Sequence, residues 1–362
     1  MLHFQPDQDI TRAEADILVN TVNTVGVMGK GVALAMKKAF PQILEPYMAR
    51  CADGSLQPGS FQMVRLEDGR AVMNLATKKH WRDPSRYAWI GVGMIYMNKL
   101  LTGDGPWAGR SLAMPLPGAG NGGLDPARVA QMARIYLAPA AARSELSILS
   151  REFGPIVDPV YYAGVGSRKT PEDVLALMQE VGARMSEAGY RLRSGGAIGA
   201  DSAFHRGALE AGGTGEQIFL IRKRGDIPRG HVFDDDPLLE RLALNFHPNA
   251  NAIRPPDGDR TSKRAVALKL MSRNAYQVFG PDFSIPSSAV ICWTPEGKGQ
   301  GGTGQAIRLA RAAEIPVIDL GCPKYRGIGS DGVVEIAREM ILDFRLSRGL
   351  EAARGEPDCA LC

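Results

Sequence analysis

Several stretches of this chain place chemically useful residue types at a spacing that gives them a common target. In Asn20-Thr21-Val22-Asn23-Thr24-Val25-Gly26-Val27-Met28-Gly29-Lys30-Gly31, an apolar strand ends in asparagines, passes through a glycine loop and opens a helix. Backbone N–H groups at a helix N-terminus bind anions, and glycines let a backbone approach a phosphate closely. A second loop, Pro117-Gly118-Ala119-Gly120-Asn121-Gly122-Gly123, also lies between a strand and a helix. Two such loops can close on a diphosphate from opposite sides, although each alone also reads as ordinary turn chemistry. Between them runs Thr77-Lys78-Lys79-His80-Trp81-Arg82, with two adjacent amines, an imidazole and an aromatic ring.

Three more glycine loops follow in the second part: Gly164-Val165-Gly166-Ser167-Arg168, Ser194-Gly195-Gly196-Ala197-Ile198-Gly199-Ala200-Asp201 and Gly299-Gln300-Gly301-Gly302-Thr303-Gly304-Gln305. Each follows an apolar segment, the arrangement in which doubly wound folds gather a ligand at the carboxyl ends of parallel strands. Arg168 supplies a fixed cation suited to phosphate. Asp201 reads either as an acceptor for a ribose hydroxyl or as a helix cap.

Strands alternating with helices must position these loops. Strands are expected over 15–20, 61–66, 71–75 and 111–116, and helices over 30–40, 87–101 and 126–137, the last opening on Pro126. Phe153-Gly154-Pro155 and Asp158-Pro159 reset the pattern. Strands then follow at 160–163, 190–193, 217–221, 289–293 and 316–320, with a helix from about Glu172. This predicts an α/β chain with a first domain over 1–150, a linker over 151–159, a doubly wound domain over 160–348 and a tail over 349–362. An insert over 222–286 interrupts the second rhythm. It holds Asp234-Asp235-Asp236, a proline-rich piece and a helix-like run from Thr261 to Val278. Its cations, Arg254, Arg260, Lys263, Arg264, Lys269 and Arg273, read either as a solvated face or as a phosphate-contacting surface.

Composition bounds the function classes. With 362 residues, 44% hydrophobic and 23% charged, the chain is a globular protein of about two domains and not a disordered one. The net charge of +4 permits a polyanionic partner without requiring one. The excess lies in residues 1–150, with 16 Lys and Arg against 12 Asp and Glu. No run of ~18 apolar residues suits a membrane helix. The five cysteines follow no disulfide framework, which favours a reducing cytoplasm. Cys359 and Cys362 have the spacing of half a zinc site, with Cys322 a candidate third ligand but no second pair, so no metal is expected; no cofactor is expected either.

Asp9-Ile10, Leu18-Val19-Asn20-Thr21-Val22-Asn23, Gly26 to Gly31, Thr77 to Arg82 and Gly118 to Leu124 resemble the macrodomain, the ADP-ribose-binding fold. The DarG-type antitoxins, related to the terminal ADP-ribose glycohydrolases, are the most similar subgroup. The resemblance covers residues 1 to about 150 and implies a mixed sheet between helices. It implies that ADP-ribose is held by Asp9, Ile10, Asn20, Asn23, Gly29, Lys30 and Gly31 together with Gly118, Ala119, Gly120, Asn121 and Gly122. Asp9 would accept from the adenine amino group, Asn23 would face the distal ribose, and the glycine loops would hold the diphosphate. Lys78 matches the lysine on which hydrolysis in that group depends. ADP-ribose linkages break at an anomeric carbon, and a lysine whose pKa is lowered by a partly desolvated or cationic site can attack there and form a Schiff base. Lys79, a like charge next door, would favour the lowering; Lys78 reads alternatively as a phosphate partner or a surface lysine. His80 is the nearest candidate proton shuttle. Trp81 reads as a base-stacking ring or a packed aromatic. Two departures stand out: Gly122 occupies the place of the terminal glycohydrolases' catalytic aspartate, and Pro126 that of a tryptophan in DarG-like proteins.

The second set of loops resembles the SLOG superfamily, above all relatives of DNA-processing protein A, over residues 160–345 apart from the insert. The resemblance implies a nucleotide derivative or single-stranded DNA at Gly164, Gly166, Ser167, Arg168, Ser194, Gly195, Gly196, Asp201, Gly301, Gly302, Thr303 and Gly304. In the phosphoribohydrolases of the same superfamily a glutamate stands where this chain has Arg308, so binding is expected there and not that hydrolysis.

Together these readings predict an ADP-ribosyl hydrolase acting on ADP-ribosylated DNA of the thymidine type, joined to a nucleotide- or DNA-binding domain, in a toxin–antitoxin or phage-defence setting. The alternatives are a binder of ADP-ribose-type or cyclic nucleotide signals without turnover, and a single-stranded DNA-binding recombination factor. No membrane partner is expected, and the oligomeric state is not legible in the sequence.

Overall fold

In the computed structural model, which describes residues 2–6 and 8–351, the chain forms two units. The first gathers Met1–Ile156 with Asp282–Ser284 and Arg348–Leu350; the second gathers Val157–Pro281 and Ile285–Ser347. Cys359 and Cys362 lie outside the described residues. Among those described, no helix is long and apolar enough to cross a membrane.

The first unit is built on six strands: β1 (Leu2–Phe4), β2 (Ile17–Asn23), β3 (Phe61–Arg65), β4 (Ala71–Lys78), β5 (Leu112–Met114) and β6 (Leu146–Ile148). Their order is β1-β6-β5-β2-β4-β3, and only the β3–β4 pair is antiparallel. β2 is central and parallel to both neighbours, so Ile17, Leu18 and Val19 are all fully buried. The helices are α1 (Gly31–Ala39), α2 (Leu44–Ala52), α3 (Tyr87–Thr102), α4 (Pro126–Tyr136) and the short α5 (Ala138–Ala141). α3 is apolar on most of its circumference, which suits a helix buried on more than one side. Its Gly93 lets it settle on β4, because a Cβ there would reach within 2.7 Å of Leu75 Cδ1. Asp125 caps α4, accepting from Ala127 N at 3.0 Å, and Pro126 takes the first helical position.

The second unit is a parallel sheet of β7 (Tyr161–Gly164), β8 (Arg191–Ser194), β9 (Gln217–Leu220), β10 (His231–Val232), β11 (Ala289–Cys292) and β12 (Val317–Asp319), in the order β10-β9-β8-β7-β11-β12. The chain builds outward from β7 to β10 and then restarts at β11 on the other side of β7. That reversal is the switch point at which doubly wound sheets hold ligands. The helices are α6 (Glu172–Glu187), α7 (Ala200–Glu210), α8 (Pro237–Phe246), α9 (Ala250–Ile253), α10 (Lys263–Phe279), α11 (Gly301–Ala312) and α12 (Ser330–Leu346).

Segment 222–286 does more than interrupt the rhythm: its His231–Val232 pairs with Phe219–Leu220 and extends the sheet. Its basic run forms α10, capped by Ser262 accepting from Ala265 N at 3.2 Å. The cations divide. Lys269 pairs with Asp235 at 3.0 Å and Arg260 with Glu240, whereas Arg273 is turned inward.

α6 and α7 touch backbone to backbone. A Cβ on Gly207 would lie 1.8 Å from the Gln179 carbonyl oxygen, and backbone cannot swing away as a side chain can. Gly207→Ala is therefore expected to cost about 2–3 kcal/mol. Thermal unfolding should record this as a fall in Tm of roughly 5–10 °C; an unchanged Tm would show that the helices separate freely.

Candidate functional sites

In the first unit a cleft of about 1080 Å³ opens at the carboxyl ends of β2 and β4. One wall is the loop from Asn23 into α1; the other is the loop Gly118–Gly122 after β5. The first turn of α1, Gly31 to Ala33, lines this space, and a helix N-terminus is where anions are received. Gly29, Lys30 and Gly31 line it with Gly118, Ala119, Gly120, Asn121 and Gly122, so the structure brings these expected residues together. The loops meet: a Cβ on Gly31 would come 2.8 Å from Asn121 Nδ2. Pro126 also lines the cleft.

Asn23 lines the cleft, but its amide is largely committed to building the loop. Its Oδ1 accepts from Val25 N at 3.0 Å and Val27 N at 3.3 Å, and its Nδ2 donates to the Val27 carbonyl at 2.6 Å. Tyr47 of α2, fully buried, donates its hydroxyl to the Asn23 carbonyl at 2.9 Å and lies 3.1 Å from Oδ1. Burial pushes the Tyr47 pKa up, keeping it a neutral donor. Sequence reading missed Tyr47 because it missed α2.

Three residues expected at ADP-ribose lie apart from this cleft. Asn20 is fully buried: its Nδ2 donates to Asn74 Oδ1 at 2.8 Å, Asn74 in turn to Gln62 Oε1 at 3.3 Å, and Gln62 to the Pro46 carbonyl at 2.9 Å. Asn20 and Asn74 are direct neighbours on β2 and β4, so their side chains share one face and form an internal amide ladder. Asp9 is exposed and caps the turn Ile10–Arg12, accepting from Thr11 N and Oγ1 at 2.9 Å. Those hydrogen bonds hold its carboxyl below the usual range, and it borders a separate hollow with Gln8, Arg12 and Glu145. Ile10 is buried in the core with Leu18, Met36 and Tyr47.

Lys78 is the last residue of β4, partly buried in the cleft, and donates Nζ to the Asn121 carbonyl. Burial lowers its pKa, while the Asp83 carboxylate acts in the opposite direction. Of the two causes expected from the sequence, partial desolvation and a neighbouring cation, the first acts here. Lys79 does not produce the shift, because its side chain is exposed to water, which screens it. Lys79 acts through its backbone, accepting from Thr24 N at 3.2 Å and Thr24 Oγ1 at 2.8 Å. His80 Nδ1 accepts from Arg82 N at 3.2 Å. Trp81 is 47% exposed at the rim, with the Arg82 guanidinium 4.5 Å from its ring centroid. Gly122 has no room for a side chain: a Cβ would fall 2.2 Å from the Gly118 carbonyl oxygen and 2.4 Å from Ser85 Oγ.

In the second unit a pocket of about 1110 Å³ lies at the switch point. Gly166, Ser167, Arg168, Gly195, Gly196, Asp201, Gly301, Gly302 and Thr303 line it. The other three expected residues stand behind. Gly164 is packed against Leu192 and Phe204, Ser194 donates Oγ to the Gly164 carbonyl at 2.7 Å, and Gly304 abuts the Gly299 carbonyl. Asp201 ties two loops together, accepting from Gly166 N and Ala197 N at 3.2 Å each. Burial pushes its pKa up, against the pull of Arg273 and these N–H groups. Among the described residues lining the pocket, Asp201 is the only acidic one. Arg308, at the place of the phosphoribohydrolase glutamate, donates to the Phe246 carbonyl and to Gln305 Oε1 at 2.8 Å each, outside the lining. Arg273, already a candidate phosphate contact, completes the wall with Asn274 and Gln277 of α10, two residues the sequence reading did not single out.

Residues 19–133 match the Macro domain family and residues 155–219 match DNA recombination-mediator protein A. The DNA ADP-ribosyl glycohydrolase of Mycobacterium tuberculosis is 41% identical over 120 residues, 32% of this chain and 33% of that protein. That of Thermus aquaticus is 44% identical over 119 residues, 32% of each chain. The chain spans about a third of the length of these curated relatives. Among solved structures, the macrodomain of Mycobacterium tuberculosis DarG is 35% identical with a TM-score of 0.39, covering 42% of this chain and 99% of that one. Thermosipho africanus DarTG in complex with ADP-ribose is 25% identical with a TM-score of 0.36, covering 42% of this chain and 43% of that one. The chain therefore carries a macro domain in its first unit, similar to that of the DNA ADP-ribosyl glycohydrolases, and in its second a domain similar to DNA recombination-mediator protein A.

Proposed function

We propose that the first unit is an ADP-ribosyl hydrolase that frees ADP-ribose from modified thymidine in DNA. The observation that carries this is Lys78: an amine of lowered pKa at the end of β4, beneath the second loop of a cleft built for a diphosphate. In its neutral form Lys78 attacks the anomeric carbon, and the thymine leaves with the bonding pair and takes up a proton. Opening of the ribose ring, with a proton transferred from nitrogen to the ring oxygen, gives a Schiff base that water hydrolyses. The likeness to DNA ADP-ribosyl glycohydrolases supports the DNA substrate. The test is incubation with single-stranded DNA carrying ADP-ribosyl-thymidine, read as free ADP-ribose. Absence of release with ADP-ribose still bound would leave a binder without turnover.

The exposed Trp81 ring at the rim suits a neighbouring base of the strand. Stacking of this kind contributes about 1–3 kcal/mol per base. Trp81→Ala is expected to raise KM for ADP-ribosyl-DNA by roughly 10-fold or more and to leave the affinity for free ADP-ribose unchanged. Equal losses for both ligands would identify Trp81 as a structural ring.

The second unit is proposed to bind a nucleotide or single-stranded DNA through its three glycine loops. With both Asp201 oxygens engaged and Arg308 tied to α8, it holds the ligand and does not hydrolyse it. The setting proposed is the reducing cytoplasm, where such an enzyme reverses a DNA-modifying toxin.

A further inference from the structure

The second pocket contains polar groups that its own fold does not satisfy. Gln277 is 1% exposed and lines the pocket, and neither its Nε2 nor its Oε1 has a partner among the described residues. Arg273, one turn earlier on α10, donates one N–H to the Gly195 carbonyl at 2.7 Å. Its Nε is buried without a partner, and its ion pair with Asp201 spans 4.0 Å. Both side chains press on the same loop: a Cβ on Gly195 would meet Gln277 Nε2 at 2.2 Å and Arg273 Cζ at 2.5 Å. Burial disfavours the Arg273 charge; Asp201 supports that charge, and Arg168 repels it. A buried donor or acceptor left unpaired keeps the full cost of its lost hydration, so three such atoms on one wall call for a partner.

The chemistry of the three atoms defines that partner. Arg273 Nε and Gln277 Nε2 are donors, the Arg168 and Arg273 charges repel each other, and the N-termini of α7 and α11 open into the same space. An anion satisfies all of these. It does not satisfy Gln277 Oε1, an acceptor that needs a donor beside the anion. A ribose hydroxyl next to a phosphate supplies it. Along a DNA strand the sugar hydroxyls are missing or esterified, so a strand would fill the anion position but bring no sugar hydroxyl to Oε1.

We propose that this pocket takes a ribosyl phosphate, such as a free ribonucleotide, with its phosphate at Arg273 and Arg168 and a ribose hydroxyl donating to Gln277. The proposal rests on the reading of the pocket as a nucleotide or DNA site and narrows it to the first.

The experiment is hydrogen exchange on the full chain, read on peptides covering 163–170, 194–204 and 299–306, so that binding in the first unit does not contribute. AMP, 2′,3′-dideoxyadenosine 5′-phosphate and an oligothymidylate are titrated in turn. AMP is expected to protect these peptides at about 10-fold lower concentration than the dideoxy analogue. In Gln277→Leu, which fills the same space without polar atoms, the ratio should fall to about twofold or less. Gln277→Glu, close in shape, should lose AMP by charge repulsion; together with the native ratio it decides the matter if Gln277→Leu does not fold. Equal protection by AMP and its dideoxy analogue, or an unchanged ratio in Gln277→Leu, would overturn the proposal. Protection by the oligothymidylate and not by AMP would also overturn it and leave the pocket a DNA site. Protection by none of the three would overturn the broader reading as well.

Discussion

Lys78→Ala is expected to slow ADP-ribose release from ADP-ribosyl-thymidine DNA by about 10³-fold while changing the affinity for ADP-ribose by no more than about threefold. Lys78→Arg separates two roles. A guanidinium pairs with phosphate as well as an ammonium does but cannot act as the amine nucleophile. If Lys78 is the nucleophile, Lys78→Arg is as slow as Lys78→Ala; if it only pairs with phosphate, arginine restores most of the rate. The pH profile provides a third readout. Only the neutral amine attacks, so the native rate should rise with pH and level off above the Lys78 pKa. Burial sets that pKa below the ordinary 10.5, so the bend should fall below it, and it should be absent in Lys78→Arg. Borohydride during turnover should trap ADP-ribose on the native chain and not on either variant, as mass spectrometry would show.

Gly122→Asp is the second change with a large expected effect. It restores the residue type found there in the terminal glycohydrolases, yet it should not add an acid to this cleft. The new Cβ would sit 2.2 Å from the Gly118 carbonyl oxygen and 2.4 Å from Ser85 Oγ, within the loop's own turn. The loop must open to admit it, and with it the N–H groups proposed for the diphosphate. A loss of roughly 100-fold in ADP-ribose affinity is expected, since several charge-assisted hydrogen bonds go together. Calorimetric titration with ADP-ribose measures it. Undiminished affinity, or hydrolysis of a glutamate-linked ADP-ribosyl peptide gained by the variant, would show that the loop accommodates a carboxylate.

The parts of the fold that were legible in the sequence are those where an apolar run meets a distinctive break. β2 closes on Asn23 and a glycine loop, α4 opens on Asp125-Pro126, and the loops after β7, β8 and β11 carry their glycines in the sequence. α2 was not legible. Pro46 looks like a breaker, but it falls in the first helical turn, where no N–H partner is lost. β1 and β6 have three residues each, too few to show a period. Asn20 shows the limit of motif matching: it lies in the matching segment, yet its pairing with Asn74 commits it to the internal ladder. Arg273 reads in the sequence either as part of a solvated face or as a phosphate contact, and Asn274 and Gln277 give no signal; the fold turns all three toward loops some 80 residues earlier, so only tertiary structure reveals the wall they form.

The bond from Lys78 Nζ to the Asn121 carbonyl has a consequence for timing. The same amine anchors the second glycine loop and is proposed to react. Each attack on an anomeric carbon takes Nζ away from that carbonyl, and the loop goes without this tether until the lysine is regenerated. Covalent bond formation and a modest loosening of the loop, within the change of about threefold in affinity expected for Lys78→Ala, would then be one event, reversed when water frees the amine. An enzyme wired this way has its exit schedule set by its own nucleophile.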